Sequence, residues 1–200
     1  MYKKRHTFLN AGDVPQGVHF IKKGYVRLYS VSPSGKEITL VIYEPGDFFP
    51  VVWGLQGKSP SIYYFETFTN VELQRVQWRD FNHFVQENLD VFKLLVDHIL
   101  IRFQTSLKRM EYLTFGNSKA KVSSVFVTLT ERFGVKKGSD VTIPFPMAHR
   151  DISTLAGLTR ETASQEISAL KKNHILIQKR GFFTIKDLPA LKKASVESLD

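Results

Sequence analysis

The residues with chemistry to offer cluster between positions 147 and 186 of this 200-residue chain. Ile152, Leu155 and Ala156 share one face of a short helix, and Gly157-Leu158-Thr159 follows as a tight turn. Gly157 suits a left-handed backbone, Leu158 plugs the corner, and Thr159 can cap the next helix. That helix turns Ala163, Ile167 and Leu170 inward, and Ala156 and Ala163 are small where two helices must approach closely. This is helix-turn-helix spacing, with the second helix free to enter a DNA major groove. Residues 175–186 then read as a two-stranded hairpin turning at Arg180-Gly181, a wing whose Lys179 and Arg180 would lie near a phosphate backbone. A generic helical hairpin explains the first half alone, but not the wing behind it.

Other chemistries lack their residues. The chain has no cysteine, which removes disulfides, thiolate zinc sites and cysteine-ligated iron–sulfur clusters. No Ser–His–Asp set, phosphate-cradling Gly-rich loop or paired carboxylate site is apparent, so the chain reads as a non-enzyme. A cupin-like metal-binding roll needs a His-x-His pair and a following Glu, and His19 stands alone. The 28 Lys+Arg against 19 Asp+Glu give a charge of +9. Residues 1–100 carry a net +1 and residues 101–200 a net +8, so the positive field surrounds the helix-turn-helix. A basic half joined to such a motif points to a polyanion partner.

The elements that position this motif follow from periodicity. From His6 to about Trp78 the chain alternates apolar and polar residues, punctuated at Gly24, Ser34-Gly35 and Pro45-Gly46-Asp47, which predicts a small antiparallel jelly roll or barrel. A short helix follows over 80–87 and a long one over about 89–113. On the long helix Phe92, Val96, Ile99, Phe103, Ser106, Met110 and Leu113 recur at steps of four and three, a heptad seam with one polar member. Leu95, Leu100 and Leu107 form a second apolar row, so one face can cover the barrel while the other meets a second copy. The alternative is a core helix of a monomer, for which one stripe would suffice. Residues 115–118 read as a hinge, with Asn117 or Ser118 as N-cap of a helix over 118–133 ended by Gly134 and Gly138. Residues 141–146 are expected to form an edge strand closed by prolines. No stretch approaches the roughly 20 apolar residues of a membrane span, and the basic N-terminus leads into no apolar segment, which is consistent with a cytoplasmic protein.

Gly24-Tyr-Val-Arg-Leu, Gly35-Lys-Glu, Pro45-Gly-Asp-Phe and above all Asp151-Ile-Ser through Leu158-Thr-Arg-Glu-Thr-Ala-Ser to Leu170 carry a resemblance to the Crp/Fnr family of bacterial transcription regulators, over nearly the whole chain. The resemblance implies an α+β fold: an antiparallel sensor β-roll like a cyclic-nucleotide-binding domain (1–86), a long dimerisation helix (87–115) and a winged helix-turn-helix (116–200). It implies a homodimer on double-stranded DNA and, for an activator, contact with RNA polymerase. Arg160 and Glu161 match the pair opening the family's recognition helix. An Arg there can fork onto guanine O6/N7 and a Glu can accept from cytosine N4, although Glu161 could equally just favour the helix N-terminus. Gln165 stands where the family usually has a guanine-reading Arg, and glutamine suits adenine. Arg150, Thr162, Ser164, Lys171, Lys172, Lys179 and Arg180 are assigned to phosphates, which set affinity and not sequence.

Relatives that bind cyclic AMP clamp its phosphate with an Arg and a following Ser or Thr and hold the ribose with a Glu. Those positions fall here on Ser61, Ile62 and Val51. A buried phosphate without a guanidinium would be poorly compensated, which argues against cyclic AMP. Trp53, Leu55, Ser61, Ile62 and Tyr64 outline either a filled core or a pocket for an uncharged or aromatic effector of unknown identity. His6, His19 and His83 leave haem open, although none has ligand spacing. A dimeric interaction module without DNA binding is the remaining alternative.

Overall fold

The computed structural model describes residues 1–51 and 59–196. The chain divides into two compact units, Met1–Arg102 and Phe103–Asp200.

Among its described residues the first unit has strands β1 (Thr7–Leu9), β2 (Val18–Lys23), β3 (Val26–Val31), β4 (Glu37–Tyr43), β5 (Phe48–Phe49), β6 (Tyr64–Thr67) and β7 (Glu72–Val76). They form two antiparallel sheets, ordered β1-β6-β3-β4 and β5-β2-β7. Leu9, Ile21, Val26, Leu28, Phe49, Phe65 and Val71 pack between them. Gly24 links β2 to β3 at φ +83°, and a Cβ there would meet the Asn70 carbonyl at 2.1 Å. Only glycine fits so close an approach.

Alternation along β3 places Arg27 among outward polar residues, yet it is only 3% exposed. Its guanidinium Nε donates to Glu66 at 2.9 Å, another nitrogen reaches Glu37 at 3.2 Å, and the group lies 4.2 Å from the Tyr29 ring centroid. Carboxylates on flanking strands make that burial tolerable, as a buried charge requires.

Helix α1 (Trp78–Glu87) buries Phe81 and Val85 and is tied down by Trp78 Nε1 donating to the Pro15 carbonyl at 2.8 Å. Helix α2 (Leu89–Phe115) buries Leu95 beside Val18, Phe81 and Val85. Near its middle Arg102 pairs with Asp47 of the Pro45-Gly46-Asp47 turn at 2.6 Å. Phe92, Ile99, Phe103 and Met110 of the heptad row are exposed, and Val96 and Leu113 half-buried. Leu100 and Leu107 of the second apolar row are exposed as well. No helix among the described residues is long and apolar enough to cross a membrane.

The second unit continues with α3 (Ser118–Phe133), β8 (Val135–Lys137), β9 (Asp140–Thr142), α4 (His149–Ala156), α5 (Arg160–Lys172), β10 (Leu176–Lys179), β11 (Phe182–Ile185) and α6 (Leu188–Val196). Asn117 is the N-cap of α3, accepting from the Ala120 N–H at 2.9 Å. Gly134 ends that helix, whereas Gly138 lies in the β8–β9 turn at φ +63°.

The sheet order β10-β11-β9-β8 corrects one expectation: β9, which contains Val141, is internal. Pro144 and Pro146 lie beyond its last residue and so remove no ladder hydrogen bond. On that side the edge is β8, whose Lys136 and Lys137 are the kind of charges that protect an unpaired strand.

Candidate nucleic-acid interface

The turn between α4 and α5 is built by local chemistry. Gly157 takes φ +64°, and its N–H and that of Leu158 both return to the Ser153 carbonyl. Thr159 stays extended and its hydroxyl accepts from the Thr162 N–H at 3.2 Å, satisfying an otherwise orphan donor of α5. At the start of α4, Asp151 is buried and accepts from the Ala148 N–H at 2.8 Å.

Ala163, Ile167 and Leu170 fix α5 against the core. The face opposite carries Glu161 and Gln165, and Arg160 is the first residue of the helix; all three are exposed. A spacing of four residues puts Glu161 and Gln165 on one ridge of the first two turns. Thr162 and Ser164 are half-buried beside them. Thr162 is engaged with Thr159 at 3.0 Å, and Ser164 with His149 Nδ1 at 2.9 Å.

The wing is a hairpin in which Lys179 pairs with Phe182, and its two turn residues are Arg180 (φ +51°) and Gly181 (φ +85°). Positive φ at both positions is the two-residue turn whose twist matches the strands. The Met147 N–H donates to the Gly181 carbonyl at 2.8 Å, anchoring the wing beside the start of α4. Lys179 and Arg180 are exposed at its tip, as is Arg150 on the first turn of α4.

Lys171 and Lys172 are exposed too, but at the far end of α5. At 1.5 Å rise per residue they lie roughly 16 Å along the axis from Arg160. They do not join the cluster at its N-terminus.

Two residues that sequence reading passed over hold this assembly. Arg109, on the part of α2 within the second unit, donates to the Leu155 carbonyl at 2.7 Å, at the end of α4. Burial lowers its guanidinium to about 10, so it stays charged at neutral pH, and a cation is favourable at a helix C-terminus. One turn on, Leu113 lies 3.4 Å from where a Cβ on Gly157 would stand. The last turns of α2 therefore brace the helix-turn-helix corner directly. His149 is the second: its Nε2 meets Gln178 Oε1 of the wing at 3.1 Å while Nδ1 meets Ser164. Neither carried a local sign, because their partners lie 46, 29 and 15 residues away.

The suggested effector region is placed only in part. Trp53 and Leu55 lie outside the described residues. Ser61 is buried with its hydroxyl donating to the Tyr63 carbonyl at 2.8 Å and accepting from the Tyr63 N–H at 3.1 Å. Ile62 does not line a pocket wall, being 68% exposed on the bend after it. Tyr64 stacks on Tyr29 with centroids 5.1 Å apart.

The three histidines considered for haem are separate. His6 stacks on Tyr2, and His83 pairs with Glu87 at 3.4 Å. His19 stacks on Phe49, where burial and then the charge of Arg75 lower its imidazole to about 4. Among the described residues no cluster of three or more His, Asp or Glu could hold a metal ion.

Comparison with known proteins agrees with this architecture. Residues 1–88 match the cyclic nucleotide-binding domain family and residues 120–194 the Crp-like helix-turn-helix domain family. The global nitrogen regulator of Nostoc sp. is 28% identical over 176 residues, covering 88% of this chain and 79% of that protein. The cAMP-activated global transcriptional regulator CRP of Haemophilus influenzae is 20% identical over 175 residues, covering 88% and 78%. A transcriptional regulator of the CRP/FNR family from Thermus thermophilus shares the fold at TM-score 0.77 and 24% identity, covering 100% of this chain and 98% of that one. An antiparallel roll with a long helix behind it, a winged helix-turn-helix with an outward basic face, and family matches to both halves lead to one conclusion: the chain belongs to the Crp/Fnr family, as a DNA-binding transcription regulator with a sensor domain of the cyclic-nucleotide-binding type.

Proposed function

We propose that two copies pair along the heptad row of α2 and read a pseudo-palindromic operator, one recognition helix per half-site. The observation that carries this is the division of α5 into two faces. One is sealed by Ala163, Ile167 and Leu170, and the other carries exposed Glu161 and Gln165, with Arg160 exposed at the first residue of the helix. N-terminal residues of a recognition helix are the ones that meet base edges. Arg160 forks onto guanine, Glu161 accepts from cytosine and Gln165 pairs with adenine. Arg150, Thr162, Ser164, Lys179 and Arg180 meet flanking phosphates, and Lys171 and Lys172 supply charge further off.

Pairing along α2 supplies the second half-site. Phe92, Ile99, Phe103 and Met110 are exposed on one stripe, a cost in water that a second helix relieves. Because Arg109 and Leu113 fasten the corner of the motif to the same helix, the spacing of two recognition helices is set by how two α2 helices pack. Successive major grooves about 34 Å apart fit such a pair.

The sensor roll does not fit cyclic AMP. Val51, Ser61 and Ile62 replace the polar set, and the Ser61 hydroxyl is already used within its own loop. A ligand without a phosphate, or none at all, suits this domain better.

The test is the salt dependence of binding to a duplex. Neutralising six to ten phosphates implies a loss of roughly a thousandfold or more between 50 and 200 mM salt. Affinity that barely moves across that range, or that survives Arg160→Ala together with Arg180→Ala, would refute the assignment.

A further inference from the structure

We infer that DNA binding by this protein takes up a proton at His149, because the hydroxyl that meets the phosphate is otherwise committed to that imidazole. The inference rests on the reading of Ser164 as a phosphate contact.

The donor directions can be worked out around the ring. Gln178 Nε2 donates to the Met147 carbonyl at 3.3 Å, which fixes the amide orientation and turns Oε1 toward His149. A carbonyl oxygen accepts only, so His149 Nε2 must carry a hydrogen to make its 3.1 Å contact. In the neutral ring Nδ1 is then a bare acceptor, and the 2.9 Å contact to Ser164 requires the serine to donate into it.

A hydroxyl has one hydrogen. A phosphate oxygen can only accept, so Ser164 cannot serve DNA while it serves neutral His149. If it turned to the phosphate, two lone pairs would face each other across that 2.9 Å contact. Protonating Nδ1 resolves the conflict: the imidazolium donates to Gln178 and to Ser164 Oγ, and the serine hydrogen is released to the phosphate. Every contact survives and one proton is added per subunit.

The charged groups on the elements around the ring are Arg150 and Asp151 on α4, Arg160, Glu161, Glu166, Lys171 and Lys172 on α5, and Lys179 beside Gln178 on β10. β11 contributes the uncharged Phe183 ring, 6.4 Å away between centroids. Of these anions Asp151 is occupied by the Ala148 N–H. An arriving phosphate is the additional negative charge that favours the imidazolium.

The experiment is the affinity of the full-length protein for a duplex recovered from a random pool, measured from pH 8 down to pH 6 for wild type, His149→Asn and Ser164→Ala. Asparagine stays neutral throughout and can still donate toward Ser164. Wild-type affinity is expected to rise as pH falls, by up to about tenfold per pH unit for each subunit that gains a whole proton. His149→Asn is expected to lose that component. Ser164→Ala is expected to bind at about the wild-type level of pH 8 and to show the same flattened profile.

A His149→Asn protein with the full wild-type pH dependence overturns the proton linkage while leaving the phosphate contact intact. A Ser164→Ala protein matching wild type at every pH removes the contact itself. Wild type that binds no duplex at any pH removes the parent reading.

Discussion

Replacing Phe103 by Glu probes the link between dimer and function most sharply. Phe103 is 57% exposed on the heptad row of α2. Burying a whole phenylalanine side chain stabilises by about 1.5–3 kcal/mol, so covering the exposed half contributes about 1–1.5 kcal/mol per copy. An interface with two-fold symmetry uses the residue twice, which brings the lost contribution to about 2–3 kcal/mol. The glutamates add desolvation and mutual repulsion of order a few kcal/mol. The dissociation constant of the dimer should therefore rise at least about a hundredfold, by the rule that 1.4 kcal/mol is a factor of ten. The assay is sedimentation velocity over a concentration series, with far-ultraviolet circular dichroism to show that the helix is retained. Gln104→Glu is the control, since Gln104 is exposed and one residue off the row. If Phe103→Glu associates as wild type does, the row is not the interface and the reasoning from exposure and period fails.

Gln165→Arg should shift preference at one base pair of each half-site from adenine to guanine, with about 1–3 kcal/mol of discrimination; binding-site profiles of the two proteins compare this directly. Gly157→Ala should destabilise the second unit by about 1–2 kcal/mol, because φ +64° places a Cβ in the left-handed region; urea unfolding reads this as a lower midpoint at unchanged slope. His19, held neutral by burial with an imidazole near 4 against an ordinary 6.5, makes folding sensitive to acid. The unfolded chain takes the proton first, so stability present above pH 6.5 is lost as pH falls toward 4, by as much as about 3 kcal/mol. His19→Phe should flatten that part of the pH–stability curve relative to wild type, and an unchanged curve would contradict the burial argument.

What was legible in sequence was whatever neighbours in the chain decide. The corner of the motif rests on Gly157 and Thr159, and the wing turn on Arg180-Gly181, all within a few residues of the bonds they make. The heptad row was legible for the same reason: its period is local even though its purpose is not. Partners far apart in sequence were hidden. Arg27 is buried because Glu37 and Glu66 arrive from other strands, and alternation alone assigns it to solvent. The edge strand β8 contains two lysines and only three residues, too short and too polar for a period to register. β5 is two residues long and exists only by pairing with His19 and Phe20. In the interface itself, exposed charges could be nominated from type and position. That Ser164 is tethered to His149 needed the folded protein.

Selection of bound duplexes from a random pool by the purified protein is the most direct test of a paired reader. Two inverted half-sites with centres about one helical turn apart, each containing a guanine that loses importance in Arg160→Ala, are expected. A single asymmetric site, or a pool that stays unenriched at low salt, would contradict it.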